Sequence, residues 1–193
     1  MELNINDKTY SNALFIHIPK TSGTSIIKTL ESSSLLDWKK SKLHKHYSYD
    51  TAQQIEFIPD NTFKFAVVRN PFTRTFSYLK HFNKYNNVNF SMNDFLNVVE
   101  GSVIYRETPL VKFNQSYYIY LDGKNQMDKT YRFENLEEFE KDFNVKLPKE
   151  NQGIYSIEEY NSTYTNKIID RVLDIYEEDF INFGYNQTFE RKL

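Results

Sequence analysis

The stretch from Leu14 to Ser25, LFIHIPKTSGTS, constrains the fold more strongly than any other part of the sequence. Its first five residues, Leu14 to Ile18, form an apolar run that predicts a buried strand. Apolar residues at helical spacing then predict a helix from about Thr24 to Ser33. The loop between them contains Lys20 and Gly23, the only glycine in the first hundred residues. The segment therefore predicts a strand, a short polar loop and a helix in direct succession.

The junction of this loop and helix is suited to binding a phosphate or sulfate. The first turn of a helix presents backbone N–H groups and a partial positive charge, and Lys20 adds a full one. We expect Thr24 or Ser25 to cap the helix and to offer a hydroxyl to the anion. The loop is not a Walker A motif, because that motif has its lysine after the glycines. An ordinary structural turn is the alternative, and we favour the anion site.

A second strand and helix follow the same plan further along the chain. The run FKFAVVRN, which starts at Phe63, predicts a buried strand that ends at Arg69. Asn70 and Pro71 then predict an N-cap and a first helical residue, with the helix continuing to about residues 81–83. Arg69 is suited to phosphate because a guanidinium donates two parallel hydrogen bonds to it. A structural salt bridge at the strand end is the alternative.

The stretches PKTSGTS and VVRNPFTRTFS together resemble the paired cofactor loops of sulfotransferases that use PAPS (3′-phosphoadenosine 5′-phosphosulfate). They are most similar to the carbohydrate and heparan sulfate 2-O-sulfotransferase-like branch. The resemblance implies that Arg69 and Ser77, eight residues apart, hold the 3′-phosphate. Arg132, in the similar run YRFENL, either faces the cofactor or pairs with Glu134 or a neighbour. The resemblance also implies a loop for the 5′-phosphosulfate that consists of Lys20, Thr21, Ser22, Gly23, Thr24 and Ser25.

The same resemblance predicts the fold and the reaction. It implies an α/β, P-loop nucleotide-kinase-like three-layer fold, in which helices flank a central, mostly parallel sheet, as a single domain over residues 1–193. The alternation of predicted strands and helices points to the same class. The expected reaction moves a sulfuryl group from PAPS to an acceptor hydroxyl, and a carbohydrate is the expected partner. Lys20 is expected to stabilise the leaving phosphate, and the mechanism requires no metal.

A basic segment from Trp38 to His46, WKKSKLHKH, contains the candidate base. By resemblance, a histidine between the two cofactor loops removes the proton from the acceptor hydroxyl. The pair Lys45-His46, followed by a predicted helix at residues 51–57, favours His46 over His44 for this role. A metal site on the two histidines is less favoured, because no cluster that could supply a third ligand is visible nearby.

Other polar side chains receive weaker assignments. His17 lies inside the first strand and is expected to be a hydrogen-bonded core histidine. Arg74 is expected to brace the structure rather than to bind the cofactor. The loop-like region 100–116 contains four residues that either contact an acceptor sugar or are ordinary surface residues: Arg106, Lys112, Asn114 and Gln115.

The remaining segments receive coarser predictions. Residues 1–12 are expected to form a polar lead-in and residues 144–163 to be irregular. Residues 115–121 form either a helix or a strand, because their aromatic residues fit both. The regular elements expected elsewhere are a helix at 91–99, a strand at 130–133 with an amphipathic helix after it, and a helix at 165–176.

Composition excludes several classes of function. A net charge of −2 and a pI of about 6.1 give no overall signal for nucleic acid or for a membrane surface. The absence of cysteine excludes disulfides and thiol chemistry. No apolar run approaches the ~18 residues of a membrane span, and no signal peptide is visible. These observations predict a cytoplasmic protein without nucleic-acid partners or an integral membrane segment, and they leave the acceptor and the oligomeric state open.

Two rival functions are compatible with parts of the pattern. A nucleotide or small-molecule kinase of the P-loop class needs Mg²⁺ and usually a carboxylate at the end of a core strand, whereas the second strand here ends in Arg69. A non-catalytic module that binds a nucleotide or a sulfated glycan would also use the basic segment. Such a module predicts binding without turnover and gives no reason for Lys20 and a candidate base to occur together.

Overall fold

The structure, a computed structural model, describes residues 3–5, 7–33, 46–101, 112–148 and 156–191. The chain divides into two compact units. The first consists of Met1–Arg69 and Gln115–Asn151, and the second of Asn70–Asn114 and Gln152–Leu193. The expectation of one domain over the whole chain stays a prediction. In the part of the chain that the structure describes, no helix has the length and apolarity that crossing a membrane requires.

The first unit combines strands and helices. The elements of its first segment are, in chain order, β1 (Leu3–Ile5), β2 (Lys8–Tyr10), β3 (Asn12–Ile16), α1 (Gly23–Ser32), α2 (Tyr49–Ile55) and β4 (Thr62–Val68). Those of its second segment are α5 (Ser116–Ile119), β5 (Tyr120–Leu121), β6 (Lys124–Asn125), β7 (Lys129–Arg132), a 3₁₀ turn (Phe133–Asn135) and α6 (Glu137–Phe143). Strands β1 and β2 form an antiparallel pair, as do β5 and β6. Residues 1–12 were expected to be a polar lead-in, and the paired strands β1 and β2 correct that expectation.

Three parallel strands form the main sheet, in the order β3-β4-β7. Phe15 lies opposite Phe65, and Val68 lies opposite Arg132. The central strand β4 reads TFKFAVV and is buried along nearly its whole length, as expected for a strand that is paired on both sides and covered on both faces. The predicted α/β class, with a parallel sheet flanked by helices, is therefore confirmed.

Aromatic side chains form much of the core of the first unit. Phe65 stacks on Phe15 with ring centroids 5.0 Å apart and contacts Phe143 of α6 at 4.8 Å. Tyr131 of β7 belongs to the same cluster and is fully buried. Its hydroxyl donates a hydrogen bond to Asp142 Oδ2 at 2.7 Å. Burial, and then the hydrogen bond and charge of Asp142, raise the pKa of this phenol far above its ordinary value.

The second unit is helical in its described residues. Its helices are α3 (Pro71–Asn86), α4 (Met92–Val99), α7 (Ile157–Thr163), α8 (Asn166–Ile175) and α9 (Glu177–Asn182). Asn70 caps α3 with Pro71 as the first helical residue, as predicted. Ser91 and Asp94 form a reciprocal capping box on α4.

A buried ion pair lies inside the second unit. Arg74 NH1 is 3.8 Å from Asp179 Oδ2, and the two side chains are 1% and 0% exposed. A second guanidinium nitrogen of Arg74 donates to the Phe113 carbonyl at 3.2 Å. The Arg74 guanidinium also lies 5.8 Å from the ring of Tyr176, whose burial raises the pKa of its phenol. The prediction that Arg74 braces the structure is confirmed.

Three local predictions need correction. Helix α1 begins at Gly23, and its N-cap is Ser22 in a left-handed conformation, so neither Thr24 nor Ser25 caps it. Residues 144–163 are not wholly irregular, because α7 begins after Ser156, whose hydroxyl accepts the Glu159 N–H at 2.9 Å. Residues 115–121 are divided between a short helix, α5, and the strand β5.

Candidate functional site

The candidate site lies where the parallel strands of the main sheet end. The loop that contains Lys20 follows β3, Arg69 directly follows β4, and Arg132 is the last residue of β7. Because parallel strands end at the same side of a sheet, these three cationic residues belong to one region of the first unit. Ligands of open α/β sheets commonly bind at this side.

Two residues of the loop have a left-handed backbone although neither is glycine. Lys20 has φ = 68° and Ser22 has φ = 72°. Thr21 between them is completely buried, and its hydroxyl donates to the Ile18 carbonyl at 2.9 Å. The Thr21 side chain therefore stabilises the loop, and its predicted contact with a cofactor is limited to the backbone. Left-handed backbone at non-glycine residues is unfavourable and concentrates at functional sites.

The N-terminus of α1 has the electrostatics of an anion site. Its first turn carries no acidic side chain, and its N-cap makes no side-chain hydrogen bond. The N–H of Ser25 turns back to the Ser22 carbonyl at 3.0 Å, whereas the N–H groups of Gly23 and Thr24 lie in the first turn, where no intrahelical acceptor exists. Thr24 is exposed, and Ser25 is buried.

The absence of a side chain at Gly23 leaves room for the ring of His17. A β-carbon added at Gly23 would lie 2.7 Å from Cγ of the His17 ring and closer still to Cδ2 and Nε2. His17 is 5% exposed, and its ring stacks on Phe15 at 5.7 Å. His17 therefore lies in the core, as predicted, and the hydrogen bond expected of its ring stays a prediction.

His46, the candidate base, lies against His17. The two rings are 4.3 Å apart between centroids, and His46 Nδ1 is 2.9 Å from the His17 carbonyl oxygen. A carbonyl only accepts hydrogen bonds, so Nδ1 carries the proton and the lone pair of the neutral imidazole is on Nε2. This tautomer is the one that a base acting through Nε2 requires. His44 and Arg106 lie outside the described residues.

Arg69 is held at both its backbone and its side chain. Its N–H donates to Gln115 Oε1 at 2.8 Å, and its carbonyl accepts from Gln115 Nε2 at 2.9 Å. Its guanidinium donates to the Lys20 carbonyl at 3.2 Å and lies 4.0 Å from the ring centre of Phe133. The arginine is 7% exposed, so the loop after β3 and the residue after β4 meet through this side chain.

Lys20 is affected by the same contact. Partial burial, and after it the positive charge of Arg69, lower the pKa of the Lys20 ammonium. Both influences disfavour the charged form. An anion bound beside the two side chains would reverse the effect of Arg69 on Lys20, and this is the electrostatic condition expected of a phosphate or sulfate site.

The other predicted residues have less defined positions. Arg132 is exposed at the end of β7. Ser77 is half-buried on α3 in the second unit, and its role in binding stays a prediction. Gln115 was assigned to the surface or to an acceptor sugar, and both assignments are wrong because it is 0% exposed and bonded to the Arg69 backbone. Asn114 contacts Glu178.

Comparison with known proteins adds no assignment: no family model, curated protein or solved structure matches the chain. Within the described ranges, no group of three His, Asp or Glu side chains is placed to hold a metal ion. Sequence reasoning missed the Gln115 contact. The available signal was an amide residue at the start of a predicted helix or strand, and that signal is common to ordinary caps.

Proposed function

We propose that this protein is a PAPS-dependent sulfotransferase with the P-loop nucleotide-kinase-like fold that its sequence resembles. The observation that carries the proposal is the contact between Lys20 and Arg69 at the ends of β3 and β4. Two cationic side chains from separate strand ends lie together in a partly buried region. A donor with a 5′-phosphosulfate and a 3′-phosphate offers one anion for each of them.

The residues present are suited to this donor. Arg69 is already oriented by its backbone and ring contacts, so less side-chain freedom remains to be lost when it binds a phosphate. The first-turn N–H groups of α1 and the Lys20 ammonium supply donors for the second anionic group. When bound, the donor supplies the sulfuryl group that is transferred.

Residues of the chain stabilise the charge on the leaving oxygen and accept the proton of the acceptor hydroxyl. The acceptor oxygen forms a bond to sulfur while the bond from sulfur to the 5′-phosphate oxygen breaks. Lys20 and the N–H groups of Gly23 and Thr24 stabilise the negative charge that develops on that leaving oxygen. His46 Nε2 takes the proton of the acceptor hydroxyl. A carbohydrate is the acceptor class that we propose, from the resemblance alone.

Calorimetric titration of the protein with adenosine 3′,5′-bisphosphate tests the donor site. We expect binding without Mg²⁺, tighter than that of ADP or ATP, and a loss on Arg69→Ala of about tenfold or more, the size of a charged hydrogen bond. Arg191→Ala, which removes an exposed arginine, is the matched control. Preference for ATP with Mg²⁺ would favour the kinase, and no nucleotide binding would leave the non-catalytic binding module or a decayed enzyme.

Transfer assays with PAPS and a panel of oligosaccharides test catalysis. Lys20→Ala and His46→Ala should each lower kcat by about 10²–10⁴-fold and change the affinity for the bisphosphate far less. Lys28→Ala on the exposed face of α1 and His81→Ala on α3 are the matched controls. If His46→Ala retained full activity, the assignment of the base would be wrong.

A further inference from the structure

Gln115 makes two hydrogen bonds with the backbone of Arg69, the residue proposed to bind a phosphate. The Arg69 N–H donates to Gln115 Oε1 at 2.8 Å, and Gln115 Nε2 donates to the Arg69 carbonyl at 2.9 Å. We call these two hydrogen bonds the Gln115 clamp. The orientation of the amide follows from its partners, because an N–H requires the oxygen and a carbonyl requires the nitrogen.

The clamp continues the sheet beyond its last paired residue. The β4–β7 ladder ends with Val68 opposite Arg132. After Arg132, β7 ends and a 3₁₀ helix begins at Phe133, so β7 provides no residue that pairs with Arg69. The carboxamide of Gln115 supplies one donor and one acceptor to Arg69, as a paired strand residue would.

The clamp also joins two points of the chain that are distant in sequence. Arg69 is the last residue of the first segment of the first unit, and Gln115 is the first residue of its second segment. Both partners belong to the first unit and are buried, at 7% and 0% exposure. The clamp therefore fixes the Arg69 backbone relative to the sheet of that unit.

We propose that Gln115 is a positioning residue for Arg69, and that its clamp directs the guanidinium toward the 3′-phosphate of the donor. The identity of that anion rests on the proposed function, whereas the clamp rests on the two hydrogen bonds of the structure. With the backbone held by Gln115 and the guanidinium held between the Lys20 carbonyl and the Phe133 ring, few orientations remain for the side chain. Gln115 then sets how well the site distinguishes nucleotides that carry a 3′-phosphate.

Amide hydrogen exchange tests the clamp independently of any ligand. Gln115→Met has a similar length and removes both hydrogen bonds, so the Arg69 amide should exchange at least about tenfold faster than in the native protein. Gln115→Glu keeps an acceptor for that amide and should give an intermediate rate. Gln126→Met is the matched control, since Gln126 bonds the Leu121 and Lys124 carbonyls of the β5–β6 hairpin.

Nucleotide selectivity tests the functional part. The ratio of affinities for adenosine 3′,5′-bisphosphate and adenosine 5′-phosphate, which lacks the 3′-phosphate, should fall about tenfold in Gln115→Met. The ratio should not change in Gln126→Met. In an Arg69→Ala background, Gln115→Met should change the ratio no further, because Gln115 acts only through Arg69.

The outcomes separate the two proposals. An unchanged selectivity ratio in Gln115→Met, with a faster Arg69 amide, would assign Gln115 a structural role only and overturn the inference. An unchanged Arg69 exchange rate would also overturn it. If the native protein shows no preference for the bisphosphate, the proposed function fails, and the exchange data still decide whether the clamp exists. Should Gln115→Met fail to fold, the same measurements on Gln115→Glu decide the question.

Discussion

Burial and a neighbouring positive charge both oppose the ionisation of Lys20. Its ammonium is partly buried next to Arg69, and both effects lower its pKa. Such a group gains most when an anion arrives, because the anion neutralises the repulsion and favours the charged form. Binding of a phosphate should therefore be coupled to the protonation of Lys20.

This coupling predicts a decline of affinity at alkaline pH. Binding the bisphosphate raises the pKa of Lys20, so the modest contribution of Lys20 to affinity is complete below the lowered pKa of the free protein and is lost as pH rises from there toward the pKa of the complex. Calorimetry between pH 7 and 10 should show the decline beginning below the ordinary lysine value of 10.5. Lys20→Arg should remove the decline, because arginine stays charged over this range. Equal, flat profiles for both proteins would contradict the coupling.

Gly23 should not tolerate a side chain while His17 is present. A β-carbon at position 23 would overlap the His17 ring, so we expect Gly23→Ala to lower the free energy of unfolding by about 1–3 kcal/mol. In a His17→Ala background, which opens the space, the same change should be neutral or stabilising, since alanine favours helices over glycine by about 1 kcal/mol. Urea denaturation of the four proteins measures the difference, and additive effects would show that the ring is not the obstacle.

At the level of elements, α7 illustrates a start signal that sequence reasoning overlooked. Ser156 accepts the Glu159 N–H, which satisfies one of the donors at the helix start. We expect Ser156→Ala to lower the free energy of unfolding by about 1 kcal/mol and to speed amide exchange in residues 157–163. Ser162→Ala, at the other end of the same helix, is the control. Equal effects of the two substitutions would argue against a capping role.

The strands β3, β4 and β7 and most helices were predictable because their signals are local. The apolar runs of β3 and β4, and the Asn70-Pro71 start of α3, each fix an element within a few residues. The Gln115 clamp was not predictable in this way. It joins residues 46 positions apart, and nothing near Gln115 in the sequence distinguishes a buried amide from an exposed one. The contact between His17 and His46 is hidden for the same reason.

The start of α1 was misplaced by one residue for a different reason. Serine and threonine side chains normally cap helices from an extended backbone. Ser22 instead adopts a left-handed backbone and makes no side-chain cap, so the helix begins at Gly23. Residue preferences alone do not reveal that a non-glycine residue has been placed in this conformation by its surroundings.

At the scale of the whole molecule, the division into two units predicts how far the loss of the buried Arg74–Asp179 ion pair will be felt. Removing one partner with Asp179→Ala leaves the Arg74 guanidinium without its carboxylate, and we expect a loss of about 3–5 kcal/mol in the free energy of unfolding. Amide exchange should rise more in α3 and α9 than in β4, since the pair lies inside the second unit.

The outcome also tests the expectation of a single domain. If amides of β4 lost protection to the same extent as those of α3 and α9, the two units would unfold as one cooperative domain. Confinement of the change to the second unit would show that the units unfold separately. Asp174→Ala, on the surface of α8, is the control for the loss of a carboxylate.

The raised pKa values of Tyr131 and Tyr176 have a practical consequence for following unfolding. Tyr131 lies in the first unit and Tyr176 in the second. In the folded protein the pKa of each phenol is raised above its value in the unfolded chain. Each tyrosine therefore stabilises the fold below about pH 10, and this stabilisation is lost as the solution becomes more alkaline. Neither ring should develop the ultraviolet absorbance of tyrosinate until its own unit opens. Replacing either one with phenylalanine removes its contribution, and the difference from the native protein gives the signal of that tyrosine among the 15 of the chain. Tyr131 and Tyr176 thus serve as intrinsic optical reporters of unfolding, the first for its unit and the second for the other, and no dye is required.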